Sequence, residues 1–170
     1  VSYLLSLTNR KDEAMHGEFA KLINAVNNNR PDILPGLKSP KSYINRLTPE
    51  GYSVLHTSAS VGQKELLAAL LQIGANANLM DVNEQTPLHW AAWNNQADVI
   101  TFLLSHKAKI SQKDHLGNTP LMMAVQNNSI DAVKLLIKAG AEKKTTNKQG
   151  QTALMIAAGK GYTEIADLLR

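Results

Sequence analysis

Cysteine is absent from all 170 residues, which removes disulfides, thiolate metal ligands and thiol nucleophiles and is compatible with a reducing compartment. Large rings are nearly absent too: two Trp, two Phe and four Tyr make up 5% of a chain that is 44% hydrophobic. A core this poor in aromatics must be built from Ala, Leu, Ile and Val, which suits closely packed helices. No apolar run approaches the roughly 20 residues needed to cross a bilayer. The N-terminal VSYLLSLTNRK lacks the charged start and cleavage site of a signal peptide. A soluble protein of the cytoplasm is the default expectation.

Sites for chemistry are also missing. There is no G-x-S-x-G elbow and no Ser/His/Asp set at a spacing that suggests a nucleophile. Phosphate-cradling loops are absent, because the glycines recur at helix ends. His56 and His89 fall on neighbouring helices about 10 Å apart, too far to share a metal with bonds of about 2 Å. His16, His106 and His115 lie singly in segments read as turns, without a second His or a carboxylate at ligand spacing. The expectation is a non-enzymatic protein with no cofactor and no metal.

Charge is uneven along the chain. Residues 1–106 carry 8 basic and 9 acidic side chains, a net of −1, whereas 107–170 carry 10 and 5, a net of +5. Lys143, Lys144 and Lys148 cluster in the second part, where solvated surface lysines are the plain reading and an acidic partner the sharper one. Lys107, Lys109 and Lys113 have no aromatics interleaved with them, which argues against nucleic-acid binding.

What the chain does have is a repeat. The segments SVLHTSA (53–59), TPLHWAA (86–92), TPLMMAV (119–125) and TALMIAA (152–158) each begin 33 residues after the last. Gly51, Glu84, Gly117 and Gly150 precede the motif by two, and Leu70, Leu103, Leu136 and Leu169 follow it at one offset. Ser53, Thr86, Thr119 and Thr152 are N-cap residues, and Pro87 and Pro120 sit at the first helical position. Gly62, Asn95, Asn128 and Gly161 share the position where a left-handed residue ends that first helix. A second helix with apolar residues at helical spacing follows, closed by Gly74 or Gly140, and the polar stretch beyond it reads as a turn or short hairpin.

Period, TPLH motif, the GA-x-x-N turn and an Asp ahead of the next motif (Asp81, Asp114) resemble ankyrin repeats. The resemblance implies an all-α solenoid: a stack of helix-turn-helix units joined by β-hairpin-like loops. The units are 48–80, 81–113, 114–146 and a truncated 147–170. Residues 15–47 keep phase through Leu22, Ala25, Asn29, Ile33, Leu37 and Asn45 but carry Pro35 and Gly36 where the second helix belongs, and read as a degenerate repeat. Residues 1–14, with Val1, Leu4 and Leu5 in phase, read as the end of a preceding repeat or domain plus a linker. The expectation is a piece of a longer protein cut within helices at both ends.

Ankyrin-like stacks bind protein partners on the concave surface made by hairpin tips and first helices. Those are the positions where the four units differ most. Trp90 aligns with Thr57, Met123 and Ile156, which predicts a packed position. Trp93 aligns with Ser60, Gln126 and Gly159, a set that makes sense at a surface facing solvent or a partner, and an exposed Trp is a common interface anchor. The expected site is Tyr52, Met80, Val82, Trp93, Asn94, His115, Leu116, Gln126 and Asn127; the alternative is a Trp93 that folds back over its own repeat. The expected partner is a protein, the expected state a monomer. A substrate-recruiting region of a larger enzyme and a masking inhibitor are the other readings. The richness in Asn and Lys fits an AT-rich genome and is similar to ankyrin-like proteins that intracellular bacteria deliver into the host-cell cytoplasm.

Two residues break the pattern. Lys107 and Glu84 stand where other units have glycine, and each is expected to adopt a left-handed conformation at a cost of about 1 kcal/mol.

Overall fold

The computed structural model describes residues 16–170. The reading of 1–14 as a preceding repeat falls outside the described residues. Helix α1 covers 16–27, and His16, expected in a turn, stands in it. Two short 3-10 segments follow, Pro31–Gly36 and Pro40–Ser42. The first of these holds Pro35 at the place of a second helix. A proline there cannot donate the helical N–H, so no α-helix propagates.

Four helix pairs then succeed one another: α2 (Val54–Val61) with α3 (Lys64–Gln72), α4 (Pro87–Trp93) with α5 (Ala97–Ser105), α6 (Pro120–Gln126) with α7 (Ile130–Lys138), and α8 (Ala153–Lys160) with α9 (Thr163–Leu169). Each first helix starts at its Ser or Thr in extended conformation. Asn95 and Asn128 (both φ +55°) and Gly62 and Gly161 (φ +84° and +72°) take the left-handed turn that stops it. The second helices close in one way too: the amides of Ala75, Ala108 and Ala141 reach back to the carbonyls of Leu70, Leu103 and Leu136. Lys107 sits in that turn at φ +65°, and Glu84 takes φ +59° at the hairpin, as their repeat positions require.

First helices pack on first helices, α2 on α4, α4 on α6 and α6 on α8; second helices form a parallel outer row, α3 on α5, α5 on α7 and α7 on α9. Small residues allow the inner row to close up: Ala59, Ala91, Ala92, Ala124 and Ala157 are all fully buried. Leu70, Leu103, Leu136 and Leu169 seal the outer row against them. None of these units could bury its apolar face alone, so stacking supplies the core.

The connections are tight turns without strand assignment among the described residues. Their hydrogen bonding is nevertheless hairpin-like and repeats: Thr48 N–H donates to the Tyr52 carbonyl, Asp81 to Gln85, Asp114 to Asn118 and Asn147 to Gln151, at 2.8–3.1 Å. Asp81 and Asp114, read as hairpin residues, each accept two backbone amides on Oδ1, and Asn147 does the same with its amide oxygen.

Candidate partner-binding groove

The concave side is organised by the inner helices and the hairpins ahead of them. His56 and His89 fix both. Each is buried at the third position of its helix, where Nδ1 lies within hydrogen-bond distance of the N-cap amide and hydroxyl, Ser53 for one and Thr86 for the other. Nδ1 accepting the N-cap amide leaves Nε2–H to donate to the next unit's hairpin, at the carbonyls of Gln85 (2.9 Å) and Asn118 (3.2 Å). Burial pushes both imidazoles below the usual histidine range, which favours the neutral ring, and the N-cap amide on Nδ1 selects the tautomer.

Polar side chains complete the links between units. Gln63 donates to the Val26 carbonyl, Gln96 to that of Ser60, and Ser129 to that of Trp93. Asn45 and Asn78 clamp the second-helix turn of the following unit: Asn78 donates to the Lys107 carbonyl and accepts the Lys109 amide.

Between α4, α6 and their hairpins lies a groove of about 480 Å³. Its apolar lining is Trp90, Trp93, Leu116 and Met123; side-chain amides of Gln85, Asn94, Asn118 and Gln126 rim it, with Ser60 at one side and the Asp114 carboxylate at the base. Trp93 is 37% exposed and Leu116 47%, two of the six large apolar side chains exposed among the described residues.

Trp90 departs from the expectation of a position wholly packed in the stack. It is only half-buried and shares the groove with Trp93. Its ring is held by neighbours: the indole N–H donates to Asp81 Oδ2 at 3.0 Å, Tyr52 lies 5.2 Å from it and His56 meets it edge-on at 5.5 Å. The repeat column Thr57, Met123, Ile156 concealed this, because an average over units hides a ring long enough to reach past the helix row.

Of the residues expected from sequence, Trp93, Asn94, Leu116 and Gln126 line the groove. Tyr52 reaches it only through Trp90 and also lines a smaller hollow of about 190 Å³ beside Ile23, Thr48 and Glu50. Met80 and Val82 are exposed outside the groove's lining, and His115 bonds through Nδ1 to the Asn83 carbonyl on the neighbouring tip. Asn127 is engaged elsewhere: its amide donates to the Trp93 carbonyl at 2.8 Å. Asn94 donates to Ser60 Oγ and the Trp90 carbonyl. Gln85, Asp114, Asn118 and Met123 also line the groove without having been singled out as site residues; the first three were read as hairpin positions and Met123 as a packed helix position.

No helix among the described residues is long and apolar enough to cross a membrane, and none of their His, Asp or Glu side chains gather in threes around a possible metal.

A family model for ankyrin repeats in three copies matches residues 22–114 and again 111–170. The chain therefore belongs to the ankyrin repeat family, whose members are generally protein-interaction modules and typically non-catalytic. No curated protein matches it.

Proposed function

We propose that this chain is a non-enzymatic recruiting module that docks an extended segment of a protein partner in the Trp90–Trp93 groove. The observation that carries this reading is Trp93. Its backbone carbonyl is doubly engaged by Asn127 and Ser129, so the main chain at this point is fixed by the stack, while the indole projects into the groove without a hydrogen-bonding role in the fold. A rigid, half-desolvated aromatic beside a ring of amides supplies the anchor and the polar rim that interfaces use. With units taken to begin at 48, 81, 114 and 147, the proposed site spans the second and third complete units. A reducing compartment such as the cytoplasm suits a chain without cysteine.

The test is a peptide-display selection on the wild-type chain, followed by affinity measurement on Trp93→Ala and on Thr101→Ala, an exposed substitution in the outer helix row. Trp93→Ala should weaken the selected peptides more than tenfold, about 1.4 kcal/mol or more, with a melting temperature close to wild type. Equal affinity for both variants removes Trp93 from the site.

A further inference from the structure

The two hollows differ in charge from the chain as a whole, although the Lys148 amide bonds the Leu116 carbonyl at the next hairpin tip. The sequence carries 18 basic and 14 acidic residues. Yet among the described residues no Lys or Arg lines either the groove or the adjoining hollow, whereas Asp114 lines the first and Glu50 the second. Asp81 adds a further carboxylate behind Trp90.

The placement of the carboxylates relative to the rings is specific. Asp81 accepts the indole N–H of Trp90, and a carboxylate at the ring's edge pushes electron density toward its faces, where a cation is attracted. At the base of the groove Asp114 spends Oδ1 on two backbone amides at 2.9 and 2.7 Å. Its Oδ2 has only two long side-chain contacts, to Asn118 at 3.3 Å and Gln85 at 3.5 Å. Both contacts are long and neutral, so a charged donor that reaches this buried carboxylate would displace them at Oδ2.

Resting on the docking reading above, we propose that the groove receives an arginine side chain from an extended basic segment of the partner. The guanidinium stacks on the Trp90 and Trp93 rings and directs its N–H groups toward Asp114 Oδ2 and the amide oxygens of the rim. Arginine fits better than lysine because its planar head uses ring faces and several acceptors at once, and because it is more weakly hydrated and enters a half-closed groove at lower cost. An acidic segment is disfavoured here by the same carboxylates.

The experiment uses the full chain and three blocked heptapeptides of glycine and alanine with arginine, citrulline or norleucine at the centre. Tryptophan fluorescence is a direct readout, since both tryptophans of the chain line the groove. The arginine peptide should bind at least fivefold more tightly than either neutral one. Asp114→Asn should abolish that preference while leaving the melting temperature and the neutral peptides unchanged. This variant is expected to fold, because Asn147 forms the same turn in the next unit through its amide oxygen. Equal binding of arginine and citrulline peptides, binding of norleucine alone, no response to any of the three, or a preference that survives Asp114→Asn each overturns the arginine assignment. The docking reading then stands or falls separately, on whether display-selected peptides depend on Trp93.

Discussion

At the residue scale, the positions that break the repeat pattern are the informative ones. Lys107 is held at φ +65° in a turn where two other units place glycine, and Asn78 from the preceding unit secures its carbonyl and the Lys109 amide. The clamp explains why the turn persists, but it acts on backbone atoms, so a glycine would keep it. Lys107→Gly relieves the left-handed strain of about 1 kcal/mol, less what glycine costs through a freer unfolded chain. A rise in melting temperature of up to about 3 °C is expected by scanning calorimetry; a fall would mean that the lysine side chain makes a compensating contact. Trp93 is the other such position. It was legible as a surface residue from its column of Ser, Gln and Gly, whereas Trp90 was not, because its exposure depends on how Asp81 and Tyr52 orient the ring.

At the element scale, the stack is joined by the buried histidines of α2 and α4. Their folded-state pKa values lie below the ordinary 6.5 because burial penalises the charged ring. The unfolded chain takes up protons first as pH falls, so the contribution of these residues is complete above about pH 6.5 and is lost as pH drops from there toward the folded-state values. Thermal melts should therefore be flat between pH 7 and 8 and decline toward pH 5. His89→Met, with the residue that α6 and α8 carry at this position, should lower stability at pH 8 by about 1–3 kcal/mol, since the Asn118 carbonyl loses its donor. It should also make the decline shallower; an unchanged slope would show that another group governs it. Helix starts, helix stops and hairpin Asp residues were legible in the sequence because each is a local backbone requirement met by one residue type. The break of an α-helix at Pro35 and Gly36 was equally legible, and a 3-10 segment stands there. The links between units, such as Gln96 to Ser60 or Asn127 to Trp93, were not, since they join residues 34 to 36 apart whose pairing depends on how the helices stack.

At the scale of the whole molecule, one continuous core runs from Phe19 to Leu169, so a lesion in a middle unit affects both neighbours. Leu103 is fully buried in the outer row, and Leu103→Ala should cost about 2–5 kcal/mol in urea unfolding. A loss under 1 kcal/mol would mean that the units stabilise themselves individually. Charge is partitioned on the same scale: the basic excess lies in residues 107–170, while the groove bridging the second and third complete units is lined by a carboxylate and amides. The central claim, that a protein segment docks between Trp90 and Trp93, is tested most directly by the two indole N–H resonances in a nitrogen–proton correlation spectrum during titration with a display-selected peptide. Both resonances should shift and saturate together with the backbone amides of Asn94 and Leu116; saturable binding that leaves both indole signals in place would contradict it.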